Sequence, residues 1–220
     1  SDVCSSDLTN PTIAPYAKTG EVHLRITAKG KNEKECQKLI KPVVKELKAR
    51  FGRNVFATEE SKTLEEAVVD MLKEQEMTLS LAESCTGGAI AARIVNVSGA
   101  SEVFLQGMVT YSNKAKRRCL DVSKSTLKKH GAVSEECAAE MAKGGRKASK
   151  TDICLSVTGI AGPGGGTEEI PVGTVFMGCY CAGKTTVREF HFEGDRKSIR
   201  DQAVVQALTF ICDRLHKCDR

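Results

Sequence analysis

Short apolar segments of strand length alternate with amphipathic helical segments from residue 63 onward. Strands are predicted at 78–82, 104–111, 152–158, 173–182 and 185–192, and helices at 63–72, 86–97, 134–148 and 196–215. Such alternation is typical of a layered α/β domain, because each helix can cover a face of the sheet that its flanking strands build. The fold class predicted for residues 59–220 is therefore α/β, with a partly parallel, mixed sheet.

The earlier part of the chain predicts a separate small α+β domain at 11–58. A half-buried strand at 21–28 precedes a helix at 32–51, and a short strand follows at 54–57. Pro42 is expected to bend or split the helix, because proline removes a helical hydrogen bond.

Charge supports a domain boundary after residue 58. Residues 10–58 contain 11 basic and 4 acidic side chains, and 59–76 contain 2 basic and 7 acidic ones, so the net charge changes from +7 to −5. The basic part fits either a nucleic-acid surface or a solvated helix face, and its Lys-rich helix favours the solvated face. Residues 1–10 show no periodicity and are interpreted as a disordered leader or a remnant.

Composition excludes several protein classes. The chain has 220 residues, 40% of them apolar and 28% charged, which is typical of a globular protein and not of a disordered one. No apolar run approaches the roughly 20 residues that span a bilayer, and the first residues lack a signal-peptide pattern. Ten cysteines without any CxxC, and four scattered histidines, argue against a metal site. We expect a cytoplasmic protein with reduced thiols, and with no metal or organic cofactor.

The sharpest local motif is Leu81-Ala-Glu-Ser-Cys-Thr-Gly-Gly88, where a buried strand meets a helix. Its backbone N–H groups around Cys85–Gly88, including those of Thr86, Gly87 and Gly88, suit an oxyanion hole over a Ser84 nucleophile. Alternatively, the motif is a plain strand-to-helix turn with a Ser or Thr cap. Cys85 is a rival nucleophile or, more simply, a buried thiol.

Two further segments follow predicted strands and supply candidate partners for the serine. Tyr111-Ser-Asn-Lys114 offers Lys114 as a desolvated base with Tyr111 as its relay, or an ordinary polar surface. The segment 158–167 allows close backbone approach to a ligand around Thr158, Gly159 and Gly162, or is simply a mobile connection.

The start of the last helix adds positive charge. Arg196 and Arg200 could bind a phosphate, or could pair with nearby aspartates.

Taken together, the motifs resemble the C-terminal domain of the CinA (competence/damage-inducible) family. The resemblance rests on AESCTGG (82–88), VTYSNKAK (109–116), HGAVS (130–134), TGIAGPGGGT (158–167), PVGTV (171–175) and GDR (194–196), in this order. Residues 10–25 also resemble the start of that family's KH-like middle domain. The family's N-terminal molybdopterin-binding-like domain has no counterpart in this sequence, so its pyrophosphatase activity is not expected.

The resemblance implies a layered α/β/α amidase domain with roles for individual residues. Ser84 matches the nucleophile, Lys114 and Tyr111 the base and its relay, and Thr158 a substrate contact. Arg196 matches the basic residue of the Gly-Asp-Arg motif, with Arg200 a second candidate.

The implied activity is deamidation of nicotinamide mononucleotide to nicotinate mononucleotide and ammonia, without a cofactor. A homodimer fits the resemblance. Nucleic acid is not an expected partner, because the KH-like segment lacks a Gly-x-x-Gly clamp, and neither is a membrane. The alternative function is a non-catalytic adaptor that binds nucleic acid or a protein through the basic small domain.

Overall fold

The chain folds into two units that divide between Thr63 and Leu64 in the sequence. The structure, a computed structural model, describes residues 10–18, 21–52, 55, 58 and 62–217. The first unit contains an antiparallel hairpin, β1 (Thr12–Lys18) and β2 (Glu21–Thr27), followed by helix α1 (Glu33–Phe51). It is a small α+β arrangement, as the sequence predicted.

Two details of the first unit differ from the prediction. Helix α1 runs without interruption through Pro42, so the predicted split is wrong. A single proline removes one hydrogen bond, and the rest of this 19-residue helix maintains its course. Strand β1 was not predicted, and the strand predicted at 54–57 lies largely outside the described residues.

A five-stranded mixed sheet forms the centre of the second unit. Its strands are β3 (Leu79–Glu83), β4 (Phe104–Val109), β5 (Ile153–Gly159), β6 (Thr174–Cys181) and β7 (Lys184–His191), in the order β4-β3-β5-β6-β7. Strand β3 is parallel to β4 and β5, whereas β6 and β7 continue the sheet antiparallel. The carboxyl ends of the three parallel strands therefore meet at one edge of the sheet, where α/β proteins bind ligands.

Helices cover both faces of this sheet. They are α2 (Leu64–Glu74), α3 (Ala89–Val95), α4 (Asn113–Leu120), α5 (Lys124–Lys129), α6 (Glu135–Ser149) and α7 (Arg196–Leu215). Ser156 of β5 donates to a carbonyl of α6, so α6 lies on that face, with α4 and α5 packed against it. Neighbouring Leu155 and Val157 point to the other face, where α7 packs with α2 and α3. The predicted α/β class is confirmed.

The sequence did not predict α4 and α5. Each begins at a serine whose side chain accepts a backbone N–H, Ser112 for α4 and Ser123 for α5. Close packing then fixes α4 against α6, because a Cβ on Gly144 would lie 1.7 Å from the carbonyl oxygen of Leu120. Only glycine allows this approach, and it determines how deeply α4 sits.

The cysteines follow the prediction with one exception. Seven of the described cysteines are free, namely Cys36, Cys85, Cys119, Cys137, Cys154, Cys179 and Cys212. Cys181 is disulfide-bonded, which corrects the expectation that every thiol is reduced. Among the described residues no cluster of His, Cys, Asp and Glu could hold a metal ion. In the same part of the chain no helix has the length and apolar character needed to cross a membrane.

Candidate active site

Ser84 follows directly after β3, at the edge where the parallel strands end. Its N–H donates to the carbonyl of Val157 in β5 at 2.9 Å, which continues the strand pairing and anchors the serine. The residue is 7% exposed. Ser84 therefore lies where the sequence placed its candidate nucleophile, within a turn that leads into α3.

The amine that contacts this serine belongs to Lys116. Its Nζ donates to Ser84 Oγ at 2.8 Å and to the carbonyl of Thr110 at 2.9 Å. Lys116 is 1% exposed, and none of the described acidic residues lies within ion-pair distance of it. Burial lowers its pKa, because the apolar surroundings penalise the charged ammonium form. An uncharged amine in this position can accept the serine proton.

The sequence-based choice of Lys114 as the base is wrong. Lys114 lies in the first turn of α4 with its side chain exposed, and Lys116 is two residues further on. A shift of two residues rotates a side chain by roughly 200° around a helix, from solvent to the interior. The signal that could have located Lys116 is its spacing of four from Leu120, which is also buried.

Glu83 organises the turn that contains the serine. Its side chain is 1% exposed, and its oxygens accept the N–H groups of Gly88 at 2.9 Å, Ile90 at 3.2 Å and Ala91 at 2.9 Å. A carboxylate at the start of α3 also has a favourable interaction with the helix dipole. The sequence analysis did not single out Glu83, although it stands next to the serine.

These bonds narrow the predicted set of oxyanion donors, the N–H groups around Cys85–Gly88. The N–H of Gly88 is used by Glu83, and the N–H of Gly87 donates to the carbonyl of Ser84 at 3.1 Å. The N–H groups of Cys85 and Thr86 have no backbone acceptor among the described residues. The donors that remain for an oxyanion are therefore these two, closer to the serine than the glycines are.

A cavity of about 210 Å³ opens in front of Ser84. It is lined by Ser84, Cys85, Tyr111, Lys116, Ala132, Val133, Thr158, Gly159, Ala161 and Arg196. Five of the predicted site residues are in this lining: Ser84, Tyr111, Thr158, Gly159 and Arg196. The other six are outside it: Lys114, Thr86, Gly87, Gly88, Gly162 and Arg200, and the substrate contacts predicted for the last five stay predictions. Lys116, Ala132, Val133 and Ala161 were missed.

Arg196 connects two sides of the cavity. Its guanidinium donates to the carbonyl of Gly162 at 2.8 Å and to the hydroxyl oxygen of Tyr111 at 3.0 Å. Tyr111 has no hydrogen bond to Ser84 or Lys116, so the geometry does not place it as their proton relay. Its hydroxyl instead extends the reach of Arg196 across the cavity mouth.

Arg200 supports the serine turn from behind. Its guanidinium donates to the carbonyl of Cys85 at 3.0 Å and to that of Thr86 at 2.8 Å. Thr158 has a similar supporting bond, from its hydroxyl to the carbonyl of Ala132 at 2.6 Å. Arg200 therefore positions the turn, and of the two arginines only Arg196 lines the cavity.

Cys85 is a poor competitor for the nucleophile role. Burial raises the pKa of its thiol to about 11, so at neutral pH almost no thiolate exists. Ser84, in contrast, has the amine of Lys116 within hydrogen-bond distance. A serine, a buried lysine amine with a lowered pKa, and N–H groups without a backbone acceptor among the described residues lie together at this strand-to-helix turn, as a serine–lysine site on a layered α/β fold requires.

Family comparison identifies the two units. The CinA C-terminal domain matches residues 61–215, and the damage-inducible protein CinA KH domain matches residues 1–57. The chain belongs to the CinA family. The KH match includes the first ten residues, which the sequence analysis had set aside.

Relatives and solved structures agree with this assignment. A competence-damage inducible protein of Clostridium perfringens is 52% identical over 97% of this chain and 52% of its own length. A CinA-like protein of Kosmotoga olearia is 52% identical over 92% of this chain and 49% of its own length. The chain thus spans about half the length of the curated relatives it matches.

Two crystal structures match the fold. The competence/damage inducible protein CihA of Agrobacterium tumefaciens has 38% identity and a TM-score of 0.67, covering 70% of this chain and 93% of that one. The competence damage-inducible protein A of Klebsiella pneumoniae has 34% identity and a TM-score of 0.68, covering 72% of this chain and 100% of that one.

Proposed function

We propose that the second unit is an amidohydrolase that deamidates nicotinamide mononucleotide to nicotinate mononucleotide and ammonia. The observation that carries the proposal is the 2.8 Å hydrogen bond between the buried amine of Lys116 and Ser84 Oγ. A lysine without an acidic partner, desolvated by its surroundings, is suited to act as a base near neutral pH. The substrate is taken from the family resemblance, because the geometry alone specifies only a carbonyl compound.

The first half of the proposed reaction forms an ester. Ser84 Oγ attacks the carboxamide carbon while Lys116 takes the serine proton. The N–H groups of Cys85 and Thr86 hold the oxyanion of the tetrahedral intermediate, a contribution of about 3 kcal/mol per donor in comparable sites. Lys116 then returns the proton to the departing nitrogen, and ammonia leaves.

The second half restores the enzyme. A water molecule attacks the nicotinoyl ester of Ser84 and transfers its proton to Lys116. Lys116 then protonates the Ser84 oxygen as the carboxylic acid is released. Water is consumed and ammonia is produced once per cycle, so neither an oxidant nor a metal enters the balance.

Charge at the cavity mouth fits a phosphorylated substrate. The volume of about 210 Å³ suits a single ring, so the ribose phosphate would extend outward. Arg196 lies at the amino end of α7, a position that favours anions, and presents its guanidinium to the cavity. The phosphate would take the place of Tyr111 or Gly162 as the acceptor of Arg196.

Ammonia release tests the proposal directly. The wild-type chain is incubated with nicotinamide mononucleotide, and with nicotinamide, its riboside and the dinucleotide for comparison. We expect Ser84→Ala to abolish ammonia release from the mononucleotide and Cys85→Ala to leave it largely intact. Equal rates for wild type and Ser84→Ala would reject the serine mechanism, and a wild type inactive on the whole panel would reject the substrate class.

A further inference from the structure

Positive charge is concentrated in helices α4, α5 and α6 and in the turns that join them. Residues 114–150 contain 11 of the chain's 33 basic side chains but only 4 of its 28 acidic ones, which gives a net charge of +7. The rest of the chain together carries −2, although it includes the basic first unit. Because α4 and α5 pack against α6, this charge lies in one layer of the fold.

Most of these cations have no partner within the fold. Lys116 is buried against Ser84, and Lys147 pairs with Asp121. The other nine are exposed, and in the described part of the chain none of them lies within ion-pair distance of an acidic side chain. We name these nine the basic face: Lys114, Arg117, Arg118, Lys124, Lys128, Lys129, Lys143, Arg146 and Lys150.

Helix stability explains only part of the basic face. A cation in the last turn of a helix interacts favourably with the helix dipole. Five members of the basic face lie in such turns: Arg117, Arg118, Lys128, Lys129 and Arg146. Lys114 and Lys124 lie instead in the first turns of α4 and α5, where a cation is unfavourable and no acidic residue offsets it. Positive charge at such positions indicates a negatively charged partner outside the fold.

A groove at the carboxyl end of α4 collects part of this charge. Its volume is about 330 Å³, and its lining includes Lys143, Arg146 and Lys147 of α6. The two acidic residues in the lining are already engaged, because Asp121 pairs with Lys147 and Glu140 accepts two hydrogen bonds from the start of α5. The groove therefore keeps an excess of positive charge on a concave surface.

We propose that the basic face binds the phosphate backbone of a nucleic-acid duplex. Duplex DNA carries one negative charge for about every 1.7 Å of its axis. Nine exposed cations on three adjacent helices match such an extended array of charge, whereas a single small anion would use only a few of them. Contacts from Lys and Arg to phosphates read no bases, so the binding is independent of nucleotide sequence.

The other side chains of this layer favour a duplex over two other polyanions. A single strand is commonly bound by stacking its bases on aromatic rings, and an anionic membrane by inserting apolar side chains. Among the described residues, no exposed large hydrophobic side chain lies between Tyr111 and Val172 in the sequence. The basic face thus offers charge without the groups that those two ligands require.

The basic face is separate from the features discussed above. The missing Gly-x-x-Gly clamp argued against nucleic acid as a partner of the first unit, and this surface belongs to the second unit and needs no clamp. None of its nine residues lines the cavity in front of Ser84, so the inference does not depend on the proposed reaction.

Fluorescence anisotropy of a labelled DNA duplex of about 20 base pairs tests the proposal on the full 220-residue chain. We expect binding at about 50 mM salt that weakens steadily up to about 200 mM salt. The logarithm of the association constant should fall against the logarithm of the salt concentration with a slope of about −3 or steeper, because each phosphate contact contributes about −0.9. Absence of binding at the lower salt concentration overturns the proposal, and so does a shallower slope.

Charge reversal tests whether the basic face is the binding surface. In the triple variant Lys124→Glu, Lys128→Glu and Lys143→Glu, we expect the dissociation constant for the duplex to rise by at least about tenfold and the salt slope to become shallower. Unchanged binding by this variant overturns the proposal. Circular dichroism checks that the variant is folded.

The matched control makes the same change of net charge on the first unit. Lys38→Glu, Lys41→Glu and Lys45→Glu replace three exposed lysines of α1. The dissociation constant of this control should stay within about threefold of the wild-type value, because its lysines contact no phosphate in the proposed complex. If the control weakens binding as much as the first triple variant does, net charge or the first unit is responsible and the proposal is wrong.

Three further probes separate the duplex from other polyanions. An RNA duplex of the same length should bind with a dissociation constant within about tenfold of that for DNA, because only phosphates are contacted. A single DNA strand, and vesicles of phosphatidylcholine with phosphatidylserine, should both bind more weakly than the duplex. Tighter binding of the strand or of the vesicles overturns the choice of a duplex, and a larger difference between RNA and DNA overturns recognition through backbone charge alone.

Discussion

Replacing Lys116 with methionine separates the proposed base from the fold that contains it. Methionine keeps an unbranched chain in the buried position but has no amine, so Ser84 Oγ and the carbonyl of Thr110 each lose a donor. Loss of a positioned base lowers kcat by about 10²–10⁴-fold. We expect Lys116→Met to fall in this range on nicotinamide mononucleotide.

The same substitution has a defined effect on the pH dependence of stability. Burial lowers the pKa of Lys116 from 10.5, so between the lowered value and 10.5 the folded protein binds one proton fewer than the unfolded chain. Stability then rises with pH, by about 1.4 kcal/mol per pH unit. Below the lowered pKa, the folded protein carries the full free-energy cost of burying the ammonium group of Lys116. This cost decreases to zero as the pH rises to 10.5.

Urea denaturation between pH 6 and pH 10 measures this slope. The free energy of unfolding of Lys116→Met is subtracted from that of the wild type at each pH, so that all other titrations cancel. The pH at which the difference begins to rise is the pKa of Lys116 in the folded protein. The acidic limb of kcat/KM should have its midpoint at the same pH, because only the uncharged amine accepts the serine proton.

Lys114→Met is the matched control for both measurements. Lys114 is on the same helix but exposed, so its replacement should leave kcat near wild type and produce no slope in the difference. A flat difference for Lys116→Met would show that Lys116 is charged in the folded state, and the reasoning would be refuted. Wild-type kcat in Lys116→Met would refute its role as base.

Three further predictions concern the parts that support the site. Glu83→Gln should lower the free energy of unfolding in urea by about 1–3 kcal/mol and should also reduce kcat. The reason is that an amide cannot accept all three N–H groups that the carboxylate accepts. If both values stay unchanged, the turn keeps its structure without the carboxylate. Gly144→Ala should lower the free energy of unfolding by more than about 2 kcal/mol, since its Cβ would overlap the carbonyl oxygen of Leu120. In the control Gly164→Ala the new Cβ meets nothing within 4 Å, so the free energy of unfolding should change by no more than about 0.5 kcal/mol. Similar thermal midpoints for the two variants would contradict the packing. Tyr111→Phe should keep kcat near wild type and change KM, because the hydroxyl of Tyr111 contacts Arg196 and not the Ser84–Lys116 pair. A loss of kcat as large as that of Lys116→Met would instead support Tyr111 as the proton relay.

The sequence predicted the positions of strands and site residues best where the hydrophobic periodicity and a local motif agreed. Strands β3 and β5 are mostly apolar and buried along their length because helices cover both of their faces, and that pattern placed them to within a residue. Ser84 could be located because a nucleophile at a strand-to-helix turn needs small neighbours, and Thr86-Gly-Gly88 supplies them. Constraints of this kind depend on residues that are adjacent in the sequence, so the sequence alone can reveal them.

Lys116 could not be located in the same way, because its environment is tertiary. Helix α4 reads Asn-Lys-Ala-Lys-Arg-Arg-Cys-Leu, which shows almost no apolar face. What buries Lys116 is the close approach of α4 to α6, and that approach depends on Gly144, twenty-eight residues away. Charged residues are almost never buried without a partner, so the local sequence does not distinguish Lys116 from Lys114, which was predicted as the desolvated base.

The surroundings of Lys116 also favour Ser84 over the neighbouring thiol as the proposed nucleophile. A carboxylate near the amine would stabilise the ammonium form and remove the base, and Glu83 instead directs its oxygens to α3. The two thiols that face the amine, Cys85 and Cys137, have pKa values raised to about 11 by burial, so neither supplies an anion at neutral pH. One desolvated environment therefore lowers the pKa of the lysine and raises the pKa values of both cysteines. Under those conditions the group that gains reactivity is the hydroxyl that the amine contacts, Ser84.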